Sequence, residues 1–277
     1  MRELSVLLMF MVGVVCGCQS GDSSLPATTS DLTIEELSQT DSALGQYFSK
    51  QITVFGIPIV AAAEVADDKL FHAAHVMAAY LDNDQDGVVD SEVTISSMIE
   101  NKALLVMFDT EDDIESSGLF EDDVIDSYWG QDLYAEETAP ESGFDASLEE
   151  VLHLIQTAGY AQVWPDSLGF DPPTELTESM DLARGGHYES VPSAYPESAW
   201  YHYDDWTCDY ECMAVEYFYW GLTSILGAQK DRCDDISVEW ELCTGEAVAK
   251  GDPVLYELLT REEFALPTVL PTGVYTP

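Results

Sequence analysis

Residues 82–90 read Asp82-Asn83-Asp84-Gln85-Asp86-Gly87-Val88-Val89-Asp90, and this acidic loop is the most informative stretch of the chain. Its four carboxylates occupy positions 1, 3, 5 and 9, and a glycine at position 6 permits a sharp turn between them. Alternate residues can therefore turn their oxygens toward one centre. A hard cation such as Ca²⁺ takes about six to eight oxygen ligands. The spacing predicts that this loop binds Ca²⁺.

The loop, taken over residues 82–93, resembles the calcium loop of EF-hand proteins and departs from it at one position. An EF-hand has a bidentate Glu at position 12, where this chain has Val93, and Glu92 lies one place earlier. The resemblance implies that the Ca²⁺ ligands are the side chains or, for valine, the carbonyl of Asp82, Asp84, Asp86, Val88, Asp90 and Glu92. The alternative is a turn-forming Asp-Gly loop without a cation. A single loop favours a structural clip, because EF-hands that sense calcium open in pairs.

The segments around the loop predict a mixture of strands and helices. Apolar residues at helical spacing predict an amphipathic helix over 67–81, which leads directly into the loop. Upstream, residues 52–60 predict one strand, or two short strands broken near Pro58. Downstream, a short helix is predicted at 94–101 and a buried strand at 103–108.

Residues 109–144 are acidic and are predicted to be irregular, and the remainder of the chain is predicted to be rich in helices. The predicted helices are 145–158 before Gly159, 174–184, 212–226 before Gly227, and 252–259 with Pro253 in its first turn. The expected fold class is α+β, with a mixed sheet and a helix-rich C-terminal half.

The N-terminus predicts export. Arg2 precedes an apolar run over 4–15, which is shorter than the roughly 20 residues that span a bilayer. Residues 1–17 therefore predict a secretory signal peptide. An exported chain meets an oxidising environment, in which disulfides form.

The sequence Val15-Cys16-Gly17-Cys18 resembles the lipobox of bacterial lipoproteins. The resemblance implies acylation of Cys18 and attachment to a membrane, and Gln19, in place of Asp, implies the outer membrane or cell surface. Residues 18–44 would then form a flexible, lipid-anchored tether. Because Cys16 is unusual in a lipobox, cleavage by an ordinary signal peptidase nearby is the alternative.

The composition limits the partners of the chain. It has 9 Lys+Arg against 53 Asp+Glu, a formal net charge of −44. Such a polyanion does not bind nucleic acid or anionic lipid through its charge. With 46% hydrophobic and 11% aromatic residues it is globular rather than an acidic disordered tail. Without an evident linker or repeat, residues 45–277 are expected to form one domain.

Four cysteines follow Cys18, at positions 208, 212, 233 and 243. An even number of cysteines in an exported chain predicts two disulfides. The pairings 208–212 with 233–243 and both crossed arrangements are open. A zinc site made of all four is the rival interpretation, but the second pair is too widely spaced for a knuckle.

Two predicted helices carry the candidate metal-binding and catalytic residues. The first contains Leu148-Glu149-Glu150-Val151-Leu152-His153, in which Glu149 and His153 lie four residues apart and share a helix face. The second contains Glu216, the one charge in an apolar stretch over 213–226. A buried carboxylate needs a cation or a hydrogen-bond donor.

Over residues 50–228 this arrangement resembles the zincin-like metallopeptidases of the gluzincin type, whose helix carries His-Glu-x-x-His. In this chain Glu149 stands in place of the first His. The resemblance implies Zn²⁺ or another divalent ion held by Glu149, His153 and Glu216. It implies Glu150 as general base, and Tyr210 or Tyr203 as the group that stabilises the oxyanion.

Each of these residues also has a structural explanation. Ser147 followed by Glu150 is the pattern of a capping box. His153 can be a buried histidine bonded to a backbone carbonyl, and Glu216 can be paired with Arg184 or His202.

Two hypotheses about function follow. The first is an exported metallopeptidase relative, active or degenerate. The second is a non-catalytic, calcium-stabilised surface lipoprotein that binds a protein, a peptide or an envelope polymer.

Overall fold

The computed structural model describes residues 32–38 and 42–277. The predicted signal peptide and Cys18 lie outside these described residues. The chain is divided into two compact units, one made of the described residues up to Gly159 with Pro271–Pro277, the other of Tyr160–Leu270. The elements are those of an α+β fold with a helix-rich C-terminal half, as the sequence predicts. Within the described part of the chain, none of the helices has the length and apolarity that crossing a membrane requires.

The first unit is built on a five-stranded mixed sheet whose strands lie in chain order. The strands are β1 (Glu35–Glu36), β2 (Lys50–Val54), β3 (Ile57–Ala61), β4 (Ala103–Phe108) and β5 (Trp129–Tyr134). The pairs β1–β2 and β2–β3 are antiparallel, whereas β3–β4 and β4–β5 are parallel. Glu35 and Glu36 thus join the sheet from within the segment assigned to the tether.

The predicted strand over 52–60 is two strands, and the break falls at Phe55 and Gly56. Both residues have positive φ, 47° and 89°, as a two-residue hairpin turn requires. Pro58 lies inside β3, opposite Thr53.

The prediction that residues 109–144 are irregular is wrong, because a helix, Glu111–Ser117, and the strand β5 lie among them. Gln131 and Asp132 are buried in this strand. Because both residues are polar, the sequence of β5 lacks the apolar pattern of a buried strand. The strand pairs in register with β4, from Ala103↔Trp129 to Phe108↔Tyr134. All six residues of β4 are buried, as expected for a strand that lies between two parallel neighbours.

The helices of the first unit are α1 (Asp67–Leu81), α2 (Glu92–Glu100), α3 (Glu111–Ser117) and α4 (Ser147–Ile155). The predicted helices over 67–81 and 94–101 are therefore confirmed, the second beginning two residues earlier. α1 packs on β2, β3 and α4. The acidic loop lies between α1 and α2, in the connection that joins β3 to its parallel neighbour β4.

Gly159 does not end the helix predicted over 145–158. The chain continues through a π-helical turn, Gln156–Tyr160, into the short α5 (Ala161–Val163). A Cβ at Gly159 would lie 2.7 Å from Thr94 Cγ2. The glycine therefore permits close packing against α2.

The second unit is mostly helical. Its further helices are α6 (Pro165–Leu168), α7 (Glu175–Arg184), α8 (Tyr210–Leu226), α9 (Cys233–Ile236), α10 (Gly245–Gly251) and α11 (Pro253–Leu259). As predicted, Gly227 ends α8, with φ 89°, and Pro253 lies in the first turn of α11. The rings of Tyr201, Tyr217 and Trp240 are buried together at its centre.

Asp252 caps α11 and joins it to α8 and to the segment around Trp200. Its Oδ1 accepts the N–H of Leu255 at 3.1 Å, and its Oδ2 accepts the Trp200 Nε1–H at 2.9 Å. The hydroxyl of Tyr217, on α8, donates to the same Oδ2. The side chain is almost fully buried.

The four cysteines form two local disulfides, Cys208–Cys212 and Cys233–Cys243. Their Cα–Cα distances are 5.4 and 5.3 Å, within the usual range for a disulfide. The two disulfides predicted from the sequence are confirmed, in the uncrossed arrangement.

Candidate metal centres

The acidic loop brings three carboxylates together. One ligand oxygen from each of Asp82, Asp84 and Asp86 lies within 4.8 Å of the others. Asp82 is buried at the C-terminus of α1, whereas Asp84 and Asp86 are exposed. The arrangement can hold a metal ion, with one oxygen donor fixed by the helix and two on the solvent side.

Hydrogen bonds from the backbone curl the loop around this centre. Asp82 Oδ1 accepts the N–H of Asp86 at 3.1 Å, and its Oδ2 accepts the N–H of Gly87 at 2.8 Å. Asp86 Oδ1 accepts the N–H of Val88 at 2.9 Å. Gln85 and Gly87 both have positive φ, 57° and 86°, so the chain doubles back within a few residues. The glycine predicted to permit the turn therefore lies where the turn needs it.

Asp90 lies near the three carboxylates but turns toward the backbone. Its Oδ2 accepts the N–H of Asn83 at 2.8 Å. Burial raises the pKa of Asp90, and the charges of Asp84, Asp82 and Asp86 raise it further. A cation in the loop would relieve that repulsion.

Glu92 and Val88 are not part of the group of three carboxylates that can hold an ion. Glu92 is the exposed first residue of α2, and Val88 contributes a backbone N–H to Asp86. Their roles as ligands, through the Glu92 carboxylate and the Val88 carbonyl, stay predictions.

A second group contains a histidine. Glu149 and His153, on α4, each offer one ligand atom, and these two atoms lie within 4.8 Å of each other. Glu216 lies on α8, in the other unit. His153 and Glu216 are buried, and Glu149 is partly exposed. Glu149 and His153 are thus in reach of one ion, and the role of Glu216 as a third ligand stays a prediction.

The charge state of His153 suits metal binding. Burial lowers its pKa to about 4, although the charge of Glu149 acts in the opposite direction. The imidazole is therefore neutral at pH 7, which is the form that binds metal. One imidazole nitrogen with two carboxylates is a donor set that divalent ions such as Zn²⁺ accept, although zinc sites more often have more nitrogen or sulfur.

Glu150 does not form the capping box that the sequence suggests. The N-cap of α4 is Ala146, which has no side-chain bond, and the Ser147 hydroxyl donates to Asp145 Oδ1 at 2.6 Å. Glu150 Oε2 instead accepts a hydrogen bond from Gln131 Nε2, on β5, at 2.7 Å. The same Oε2 lies 3.5 Å from His153 Nδ1.

The Glu150 carboxyl belongs to a buried acidic region that sequence reasoning missed. Burial raises its pKa well above the usual value, and the charges of Asp132 and Glu137 add to the effect. The hydroxyl of Tyr134 donates to Asp132 Oδ2 at 2.5 Å. To act as a base near neutral pH, Glu150 would need its pKa lowered, as a nearby bound cation would do.

The candidate oxyanion groups differ in how they are held. The hydroxyl of Tyr210 lies 3.1 Å from Asp181 Oδ1, and its pKa is raised by burial and by that carboxylate. The carbonyl of Tyr203 accepts the Tyr195 hydroxyl at 2.6 Å. A catalytic role for either tyrosine stays a prediction.

The residues suggested as partners of Glu216 also make other contacts. Arg184 Nη2 donates to the Tyr188 carbonyl at 3.0 Å, and its guanidinium lies over three tyrosine rings. His202 Nε2 bonds the Ala199 carbonyl at 2.8 Å. The pairing of Glu216 with Arg184 or His202 stays an alternative.

No protein-family model, curated protein or solved structure matches the chain. The assignment of function therefore depends on the residues and their geometry.

Proposed function

We propose that the chain is an exported lipoprotein that binds one Ca²⁺ in the loop over residues 82–90. The observation that supports this most directly is the grouping of Asp82, Asp84 and Asp86 within 4.8 Å. The proposal includes a cleaved signal peptide and a membrane anchor at Cys18. The two disulfides support an oxidising, extracytoplasmic compartment.

The electrostatics of the loop favour a cation. Asp82 lies at the C-terminus of α1, the negative end of the helix dipole. Burial raises the pKa of Asp90, and the charges of Asp84, Asp82 and Asp86 raise it further, so a cation in the loop would reduce this repulsion. Oxygen donors without nitrogen or sulfur suit Ca²⁺ better than a softer metal.

Millimolar Ca²⁺ is expected to raise the melting temperature of the protein. Binding to the folded state alone stabilises it, by about 2.7 kcal/mol at 100 times the dissociation constant. The double variant Asp84→Asn, Asp86→Asn should lose this gain. Calorimetry with Ca²⁺ and with chelator measures it.

The matched control is Asp234→Asn, Asp235→Asn, which removes two exposed charges from the short α9. It should respond to Ca²⁺ as the parent does. If Ca²⁺ leaves the melting temperature of the parent protein unchanged, the loop holds no calcium site of useful affinity.

The second candidate function is that of a zincin-like metallopeptidase relative, active or degenerate. The pair of Glu149 and His153 on α4 favours it, because their ligand atoms lie within 4.8 Å of each other, and Glu216, in the apolar α8, is proposed as the third ligand of one divalent ion such as Zn²⁺. A bound ion of this kind polarises a carbonyl and activates water. In this proposal Glu150 is the general base, and Tyr210 or Tyr203 stabilises the developing negative charge on a peptide substrate.

Glu216→Gln is expected to lower the content of the second metal, because it removes a charged ligand while keeping the shape of the side chain. Glu150→Gln should spare the metal and remove any peptide hydrolysis. Elemental analysis after dialysis, together with cleavage of a peptide library, measures both effects. Glu178→Gln, an exposed change on α7, is the control.

If Glu216→Gln holds as much metal as the parent and no peptide is cut, the metallopeptidase proposal fails. The non-catalytic alternative then stands, in which the calcium-stabilised surface lipoprotein binds a protein or an envelope polymer.

A further inference from the structure

The segment Pro271–Pro277, here called the strap, lies along α1 and ends at the acidic loop. At its start, Gly273 has φ 74°, and a Cβ there would be 2.0 Å from His72 Cε1. The backbone therefore rests directly on the His72 ring. Farther along, the N–H of Tyr275 donates to His75 Nδ1 at 2.8 Å.

The same strap makes three contacts with the loop. The Tyr275 hydroxyl donates to Asp82 Oδ2, the oxygen that also accepts the Gly87 N–H. The N–H of Thr276 donates to Gln85 Oε1 at 2.9 Å. Pro277 lies against Gly87, where a Cβ would be 3.6 Å from the proline Cβ.

Tyr275 is held firmly enough to position its partner. Its side chain is 5% exposed, and its ring meets Phe55 edge to face, with centroids 6.5 Å apart. His75 must be neutral at Nδ1 to accept the Tyr275 N–H, and burial together with nearby His72 lowers its pKa. The anchor of the strap on α1 is therefore intact at neutral pH.

We propose that docking of the strap and binding of Ca²⁺ to the loop are coupled, with Tyr275 as the residue that positions Asp82. This inference rests on the proposed calcium site. Ca²⁺ occupancy of the loop thereby depends on the strap, which lies nearly two hundred residues away along the chain.

The coupling follows from how the two oxygens of Asp82 are used. Tyr275 and Gly87 hold Oδ2, so the carboxylate cannot rotate freely, and Oδ1 stays on the side reached by the Asp86 N–H. A ligand held in place loses less entropy on binding a cation.

The reverse effect has the same structural basis. Without a cation, the clustered carboxylates of Asp82, Asp84 and Asp86 repel one another and favour an open loop. An open loop no longer presents Asp82 Oδ2 and Gln85 Oε1 to the strap. Because binding free energies are linked, a strap that favours Ca²⁺ must itself be favoured by Ca²⁺.

Two measurements on the folded chain test the coupling. Calorimetric titration with Ca²⁺ compares the parent, Tyr275→Phe and the control Tyr256→Phe, whose hydroxyl lies on α11 in the other unit. Hydrogen exchange by mass spectrometry follows a peptide that spans the strap, whose Tyr275 and Thr276 N–H groups both donate to side chains.

We expect Tyr275→Phe to bind Ca²⁺ about fivefold or more weakly, since one hydrogen bond to a charged group is lost. Tyr256→Phe should bind as the parent does. In the parent, Ca²⁺ should slow exchange of the strap at least several-fold, and Asp84→Asn with Asp86→Asn should remove that protection.

Failure of the coupling differs from failure of the calcium site. If the parent binds Ca²⁺ but Tyr275→Phe binds it equally well and strap exchange ignores Ca²⁺, the coupling is overturned and the site remains. If the parent binds no Ca²⁺, both are overturned.

Discussion

Glu137→Gln is expected to make the protein about 2 to 3 kcal/mol more stable than the parent at pH 8 and to change its stability little at pH 5. Burial raises the pKa of Glu137 to about 7, and the charge of Asp132 adds to it. At pH 8 the folded parent therefore contains a poorly solvated carboxylate. The variant keeps an oxygen for the Tyr134 N–H, which lies 3.3 Å from Glu137 Oε1.

The direction follows from proton binding. Between about pH 4.5 and 7 the folded parent holds a proton on Glu137 that the unfolded chain has lost. Its stability therefore falls as pH rises through that window, and Glu137→Gln removes this component. Glu239, in the other unit, should behave alike, because burial also raises its pKa to about 7.

Urea unfolding of the parent, Glu137→Gln and Glu239→Gln from pH 5 to 8 measures the effect. Histidines that titrate in this range act equally in all three proteins, so the differences isolate the two carboxyls. Exposed Glu246→Gln is the control. Variant and parent curves that stay parallel across the range would show that these carboxyls are already ionised at pH 5.

Asp252→Ala is expected to lower the free energy of unfolding by about 3 to 5 kcal/mol. The change removes the N-cap of α11 and leaves the Trp200 indole N–H and the Tyr217 hydroxyl without their acceptor. Buried donors that lose a charged partner are among the most damaging losses in a core.

Asp252→Asn separates the cap from the charge. Asparagine is as good an N-cap as aspartate, so this variant should lose less than half of what alanine loses. Thermal and urea unfolding of both variants provide the comparison. Equal losses would mean that the charge of Asp252, rather than its hydrogen bonds to the cap, dominates.

The parts of the fold that sequence analysis predicted are those specified by neighbouring residues. The α1 helix and the acidic loop follow from apolar spacing and from alternating aspartates. In contrast, β5 was missed because its polar residues are matched by distant partners, Gln131 by Glu150 and Asp132 by Tyr134. The hydrogen bond from Gln131 to Glu150 also explains why the predicted capping box is wrong, because the Glu150 carboxylate accepts from β5 and not from the N-terminus of α4.

The candidate sites show the same division. The shared face of Glu149 and His153 was sufficient to select two side chains on α4 whose ligand atoms lie close together. The bond from Tyr275 to Asp82 joins residues 193 positions apart. No local pattern in the sequence identifies such a partner, because a tyrosine in an extended segment looks the same whether or not it is anchored.

The place of the acidic loop between β3 and β4 has a consequence for how fast the chain folds. Parallel strands can pair only after the intervening chain has returned to the same edge, and this return is slow because loop closure costs entropy. Here the return path is residues 62–102, with the loop between its two helices. A cation captured early would fix the reversal between α1 and α2 and shorten the search for the register Ile59↔Leu105. Calcium would then govern the rate at which the native topology is reached, as well as its persistence.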